Sequence, residues 1–253
     1  MFTHTTSTLS ATFTQTDLYN ALKTALTGLG MTVYDEYTSG GSPVVVVQVV
    51  ANGTATGTIY AQYIVGTTNI SQAVATAWNT GTHSATGGST SAGAFSYVTT
   101  SNVDFHSFVS NQGEGKFLIL RQSGVSGPPF SWMRPANKPD WIDEATYSYI
   151  FYSSSTTFAN FVNRGGALTS PTMSSLGYAA GAGANTYDSN QVSINGPREV
   201  ATAPYGWSGT FSSDWIEFAP SGRAFGDMIQ LQVGVEEYTV VATSGNYLAL
   251  RTV

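Results

Sequence analysis

Apolar residues recur at helical spacing in one segment near the start of the chain. They are Leu18, Ala21, Leu22, Ala25, Leu26 and Leu29, which would share one face of a helix. Thr16 or Asp17 is placed to cap the start of this helix. Gly28 and Gly30 suit its end, because glycine accepts the left-handed conformation found there. The pattern predicts a helix over residues 17–29 whose apolar face packs into the core.

The three segments that follow are rich in β-branched and aromatic residues and are bounded by Gly, Asn or Pro, which is typical of strands. They are residues 31–37, 43–51 and 58–65. Residues 70–78 predict a second short helix, because several apolar residues would fall on one side of it. Those residues are Ile70, Ala73, Val74, Ala77 and Trp78. Residues 1–80 are therefore predicted to form a helix-plus-β module.

Residues 81–93 consist almost entirely of Gly, Ser, Thr and Ala without an apolar period, and they are predicted to be a linker or exposed loop. Short strand-like runs separated by turn-forming residues lie beyond them. These runs are residues 94–99, 116–122, 146–152, 215–218, 228–235, 238–242 and 247–253. The predicted fold class is mainly β: a small N-terminal helix-plus-sheet module followed, over residues 94–253, by an antiparallel β-sandwich or barrel-like region with long loops.

Two long segments interrupt this second region. Residues 124–141 contain four prolines and several large aromatic side chains, and residues 165–195 are rich in Gly, Ala and Ser. Loops of this length in a compact domain are usually functional or become ordered against a neighbour. Five aromatic residues are therefore interface candidates. Phe130, Trp132 and Trp141 lie on the proline-rich segment. Tyr147 and Tyr149 occupy every second position of a predicted strand and would share one of its faces with Phe151.

The charge content changes the picture most. Charged residues make up only 9% of the 253 residues, whereas roughly 25% is usual in soluble proteins. Low charge density favours association, so the composition favours a subunit that packs among copies of itself over a freely diffusing protein. The net charge of −6 with nine Lys and Arg residues leaves no basic stripe for a phosphate backbone, which disfavours nucleic-acid binding.

The chain contains no cysteine, so disulfides, thiol catalysis and Cys-ligated zinc are excluded together. Its first residues lack the charged opening and apolar run of a secretory signal, and no apolar run approaches the roughly 20 residues that span a bilayer. We therefore expect synthesis in a host cytoplasm and no membrane partner.

The sequence offers little catalytic chemistry. It contains no nucleophile elbow, phosphate-binding loop, zinc-protease motif or calcium loop, and His4, His83 and His106 are far apart along the chain. Asp140, Asp143 and Glu144 form the one acidic cluster near Trp side chains, where a polysaccharide-cleaving enzyme would need paired carboxylates. Acids that follow a proline also commonly start a helix or solvate a turn. We expect no enzyme activity and no catalytic, cofactor-binding or metal-binding residues.

A glycan- or receptor-binding adhesion protein is the main alternative. Aromatic faces stack on sugar rings, and the region around Tyr147, Tyr149, Phe151 and Tyr152 is rich in such faces. The alternation of three of these residues favours a sheet core or a subunit interface instead. A host-surface glycan or receptor therefore remains a possible partner.

Four features together resemble the virion proteins of tailed bacteriophages. They are the helical opening from Thr16 to Lys23, the Ser, Thr and Gly-rich strands, the long Gly and Ala loop, and the closing strand from Gly245 to Val253. The resemblance extends over most of the chain and fits a tail, neck, baseplate, fibre or capsid-decoration component. It implies a virion location, partners that are copies of the chain and other virion proteins, and function through packing surfaces.

Overall fold

The structure is a computed structural model, and it describes most of the first half of the chain and shorter segments of the second half. The described residues are 1–49, 59–87, 89–113, 115–123, 125–126, 130–133, 150–152, 162–164, 167–169, 172–175, 194–195, 198–202, 206–210, 214–218, 225–232, 236–242 and 247–253. Three of the predicted interface residues, Trp141, Tyr147 and Tyr149, lie outside these ranges, as does the acidic cluster Asp140, Asp143 and Glu144.

Strands dominate the described residues, which confirms the predicted fold class. The elements in chain order are β1 Phe2–Leu9, α1 Gln15–Gly28, β2 Thr32–Ser39, β3 Ser42–Val49, β4 Ile59–Val65, β5 Asn69–Ala75, β6 Trp78–Asn79, β7 Ser84–Ala85, β8 Ser89–Ser96, β9 Val103–Ser110, β10 Gly115–Gln122, β11 Val125–Ser126, β12 Phe130–Met133, β13 Ile150–Tyr152, β14 Val162–Arg164, β15 Ala167–Thr169, β16 Thr172–Ser175, β17 Ile194–Asn195, β18 Arg198–Thr202, β19 Gly206–Thr210, β20 Trp215–Phe218, β21 Met228–Gln232, β22 Glu236–Ala242 and β23 Tyr247–Arg251.

The strands form three larger antiparallel sheets. Sheet I has the order β1-β9-β10-β12-β13, with β11 paired to β10. Sheet II has the order β2-β3-β4-β5-β8, and sheet III has the order β17-β20-β23-β22-β21. Smaller pairings join β6 to β7, β14 to β15, and β18 to both β16 and β19.

Helix α1 confirms the predicted helix but begins earlier than the sequence analysis placed it. Thr14 is the N-cap: its hydroxyl accepts from the Asp17 N–H, and the Asp17 carboxylate accepts from the Thr14 N–H in return. This reciprocal pair is a capping box, so the expectation that Thr16 or Asp17 caps the helix is wrong. The C-cap is Leu29, and Gly30 follows in the left-handed region at φ 77°.

Sheet II contains the three predicted strands and one segment that the sequence analysis assigned wrongly. Residues 70–78 were expected to be helical, but β5 occupies Asn69–Ala75 and pairs with both β4 and β8. Ile70, Gln72 and Val74 are buried at alternate positions of this strand. In so short a run the apolar positions fit a period of 2 as well as 3.6, and the two paired neighbours decide for the strand.

The predicted linker at residues 81–93 also differs in the structure. It includes β7 and the beginning of β8, and β8 pairs with β5 along the edge of sheet II. The strands before and after the predicted linker, β5 and β8, therefore belong to the same sheet. Backbone hydrogen bonds form this edge, and they need no apolar period in the sequence.

Sheet I joins the two ends of the N-terminal half. Its first strand, β1, pairs with β9 over eight residues, from Phe2 opposite Ser110 to Leu9 opposite Val103. Neither strand was predicted. The proline-rich segment was expected to be one long loop, but β11 and β12 lie within it and both pair with β10. The expectation of one long loop is therefore wrong for residues 125–126 and 130–133.

The main core lies between helix α1, one face of sheet II and one face of sheet I. Its fully buried side chains include Leu18, Leu22 and Leu26 from the helix, Val45, Val47 and Tyr63 from sheet II, and Leu118 and Leu120 from sheet I. The opposite face of sheet I is buried as well, through Phe2, Phe108, Phe117 and Ile119. Sheet I is therefore an inner layer at β9 and β10, and polar groups buried there must find partners within the protein.

Replacing Thr14 by Ala should lower the free energy of unfolding by about 1 kcal/mol, because the Asp17 N–H loses its acceptor at the helix start. Thr16→Ala is the matched control, since Thr16 is exposed and lies two residues after the cap. It should change stability by less than about 0.5 kcal/mol. Urea unfolding of the two variants measures the difference, and equal losses would contradict Thr14 as the cap.

Candidate functional site

Two of the five predicted interface residues lie on a described strand. Phe130 and Trp132 belong to β12 of sheet I. Trp132 lies opposite Lys116 of β10 and Phe151 of β13, and Phe130 lies opposite Leu118. Strand β12 is thus held between two neighbours. A role for these two residues in an interface with another subunit stays a prediction.

Two of the three histidines meet on sheet I, although 102 residues separate them in the chain. His4 on β1 and His106 on β9 face each other with His4 Nε2 3.1 Å from His106 Nδ1. The Thr6 hydroxyl lies 3.3 Å from the first nitrogen and 3.2 Å from the second. The sequence analysis treated these histidines as scattered, because nothing in their local sequence indicates the pairing of β1 with β9.

One phenyl ring packs against each histidine of this pair. The His4 ring stacks on Phe108, with ring centroids 4.1 Å apart and planes 4° apart. The centroids of the His106 and Phe225 rings are 4.6 Å apart, and the Arg121 guanidinium lies over the Phe225 ring, 4.4 Å from its centroid. Phe225 precedes β21, so the pair lies where sheet I meets the sheet III region.

The surroundings keep both imidazoles neutral at neutral pH. Burial lowers the pKa of His4 below its usual value. Burial, followed by the proximity of His4, lowers the pKa of His106 to about 4; Asp104 opposes this effect and Arg121 adds to it. A single N–H then bridges the facing nitrogens, whereas two imidazolium groups would direct N–H bonds and positive charge at each other. The pair is suited to holding β1 on β9, and a general base would need a higher pKa.

The neutral histidine pair predicts acid sensitivity. A histidine whose pKa is lower when folded takes up its proton first in the unfolded chain, so stability is full above pH 6.5 and falls as the pH drops towards 4. Because His106 is only half-buried, we expect a loss of about 1–2 kcal/mol after allowing for solvent screening. Urea unfolding between pH 7 and pH 4.5 measures it.

His106→Asn should flatten that pH dependence, since the amide does not titrate in this range. The test is the slope of the variant's free energy of unfolding against pH, whatever its overall stability. A wild-type free energy of unfolding that stays constant from pH 7 to pH 4.5 would contradict the neutral pair.

The third histidine belongs to a separate cluster on the outer face of sheet II. Asp35 on β2 is buried, and one of its oxygens, Oδ2, accepts a 2.8 Å hydrogen bond from Trp78 Nε1 and lies 2.9 Å from His83 Nδ1. The His83 ring stacks on Tyr37 at 4.3 Å, and Gln62 donates to the Tyr37 hydroxyl at 2.6 Å. Trp78 belongs to β6, and His83 lies in the turn that leads to β7, so Asp35 ties the β6-β7 hairpin to the sheet.

Asp35 stays ionised in this setting. Burial acts to raise its pKa, but the hydrogen bonds from His83 and Trp78 outweigh it, and the pKa lies below the usual value. An aspartate that orients an imidazole is also part of hydrolytic triads. Among the described residues, however, no hydroxyl is hydrogen-bonded to the other nitrogen of His83. The arrangement therefore supports anchoring of the hairpin rather than nucleophilic catalysis.

A double-mutant cycle tests the Asp35 anchor. Asp35→Ala should cost about 1–3 kcal/mol of stability, because it leaves the Trp78 N–H without its acceptor. Combining it with Trp78→Phe should cost less than the sum of the two single changes, by about 1 kcal/mol. Thr38→Ala, at an exposed position of the same strand, should be nearly neutral. Full additivity in the cycle would show that the two side chains are not coupled.

A groove lies beside β1, between helix α1 and sheet I. It has a volume of about 340 Å³ and is lined by hydroxyl groups and small or apolar side chains. Thr3, Thr5 and Ser7 line it from β1, and Thr24 and Gly28 line it from α1. None of its lining residues is charged. The groove therefore suits an uncharged group that makes hydrogen bonds, and it offers no acid, base or cation to a reacting substrate.

Other kinds of site find no support in the described part of the chain. No cluster of three or more His, Asp or Glu side chains is placed there to hold a metal ion. No helix within the described ranges is long and apolar enough to cross a membrane. Comparison of the chain with protein-family models, curated proteins and solved structures gave no match.

Proposed function

We propose that the chain is a structural subunit of a symmetric virion-type assembly, such as a phage tail, neck, baseplate or capsid-associated component, and that it works through packing surfaces. The observation that carries the proposal is the uncharged surface around β1. Residues 3–8 are all exposed and include no charged side chain, and the adjoining groove is lined without charge as well. A surface of this kind does little to prevent association.

The few polar clusters that the structure describes support the same proposal. The histidine pair holds β1 on β9, and Asp35 holds the β6-β7 hairpin on sheet II. Glu36 likewise joins sheet II to helix α1, because it accepts hydrogen bonds from Tyr19 and Lys23. Ionisable side chains in these clusters are thus engaged in joining elements of the fold, which suits a protein that acts by its shape.

A glycan- or receptor-binding protein is the second candidate. It is favoured by Tyr34 and Tyr60, whose rings lie 4.7 Å apart on the outer face of sheet II, with Tyr34 39% exposed. An exposed tyrosine face can stack on a sugar ring. Selective binding on a glycan array that Tyr34→Ala abolishes would favour this candidate over a purely structural role.

The location of the protein tests the main proposal. Mass spectrometry and immunogold labelling of purified particles from the producing cells should find the chain at a fixed copy number in the particle. Light scattering of the purified chain should show species larger than 26.7 kDa as its concentration rises. A chain that stays at 26.7 kDa and is missing from particles would contradict the proposal.

An enzymatic role has its own test at the acidic cluster. Asp143→Ala and Glu144→Ala should leave any polysaccharide-degrading activity of the particles unchanged, because we assign these residues no part in a reaction. Loss of such activity in either variant, with the fold intact by circular dichroism, would make the cluster catalytic.

A further inference from the structure

Strand β1 is a sheet edge without the features that normally prevent edge pairing. Edge strands usually avoid pairing with other chains by being short, by carrying charges or proline, or by a bulge. Strand β1 has eight residues, none of them charged and none proline, and its pairing with β9 has no register shift. No strand in the described part of the chain pairs with its outer side.

The other edges of the three larger sheets each have such a feature. Strand β2 has a register shift after Val33 and carries Asp35 and Glu36. The pairings of β8 and β21 are also interrupted by register shifts. Strands β13 and β17 have only three and two residues. Among the described strands, β1 thus combines length, regularity and absence of charge on an edge, which makes it the edge best suited to accept another strand.

The strand is also fixed in place before any partner arrives. The Thr3 hydroxyl donates to the Asn111 side chain at 2.9 Å, and the Asn111 N–H donates to the Met1 carbonyl at 3.0 Å. The Thr8 hydroxyl donates to Asp104 at 2.6 Å. Together with the histidine pair, these contacts hold β1 along its whole length. A partner strand would therefore add to an ordered template, which lowers the entropic cost of pairing.

We propose that β1 of one copy pairs with β1 of a second copy in antiparallel orientation, which joins the two sheets I into one continuous sheet across a two-fold axis. The proposal names the partner at the packing surface described above, and so it rests on the proposed function. In an antiparallel pair, directly opposite residues have their side chains on the same face of the sheet, and a two-fold axis perpendicular to the sheet leaves each face unchanged. Because faces alternate along β1, an odd-numbered residue of one copy must lie opposite an odd-numbered residue of the other, and an even-numbered one opposite an even-numbered one.

With the axis at Thr5, the pairing places uncharged side chains opposite each other throughout. Thr5 lies opposite Thr5, Thr3 opposite Ser7, His4 opposite Thr6, and Phe2 opposite Thr8. Cross-strand pairs of hydroxyl residues stabilise antiparallel sheets. A charged residue at the axis would instead lie opposite the same charge in the second copy, and the two would repel each other. An uncharged β1 can pair with a second β1 without repulsion between like charges. A charged partner strand would find no opposite charge on β1 to attract it.

The absence of cysteine allows a direct test. Directly opposite residues of an antiparallel pair have Cα atoms about 4.5–5.5 Å apart, which is within disulfide range. Under mild oxidation, Thr5→Cys should form a disulfide-linked dimer at least tenfold faster than Thr38→Cys. Thr38 is the matched control, because it is an exposed threonine on β2, the bulged edge of sheet II. Equal cross-linking rates would overturn the proposal.

A charge swap gives an independent readout in solution. Thr5→Lys should weaken dimer formation at least tenfold by analytical ultracentrifugation, because two ammonium groups would meet at the axis, and Thr38→Lys should leave it unchanged. Mixing Thr5→Lys with Thr5→Glu should restore a heterodimer. Association that Thr5→Lys does not weaken would overturn the β1 pairing while leaving the proposed assembly role intact. A wild-type chain that is monomeric and absent from particles would overturn both.

Discussion

The pairing of β1 with β9 is the constraint on which the rest of the described structure depends. It joins residues about a hundred positions apart and makes the start of the chain part of the inner sheet. The histidine pair and the hydroxyl-lined groove exist because β1 lies there, and β1 also forms the edge of sheet I among the described strands. Closing so long a loop costs only slightly more entropy than closing a short one, because the cost grows with the logarithm of loop length.

An inner sheet in a chain with so few charges imposes a particular chemistry on its polar groups. Water does not reach the buried faces, so each polar side chain there needs a partner from the protein. Neutral groups meet this need: Gln72 donates to the buried Tyr63 hydroxyl, and buried Gln122 donates to the carbonyls of Val98 and Ser101. Where a carboxylate is buried, as at Asp35, two donors converge on it. The buried hydrogen bonds between neutral groups lose less to desolvation than ion pairs would.

The same chemistry explains why the described clusters suit a structural role better than a catalytic one. Catalysis by an acid or base requires a group whose pKa lies near the working pH and which is open to a substrate. His106 titrates far below neutrality, and Asp35 is buried and hydrogen-bonded to Trp78 and His83. The groups that remain open to solvent on β1 are hydroxyls and the neutral His4 imidazole, which bind by hydrogen bonding and resist association only weakly. This surface can contribute to an interface without any reacting group.

The sequence by itself determined the mainly β fold class, helix α1 and the strands of sheet II from residue 32 to residue 65, because each depends on a local period of apolar residues. It did not determine β1, whose exposed threonines have no such period, or β5, whose short apolar run fits two periods equally well. Nor did it indicate that His4 meets His106 or that Trp78 and His83 meet Asp35. Only the tertiary structure decided these contacts, because hydrogen bonds between distant strands set the register that brings the side chains together, and no pattern of neighbouring residues records that register.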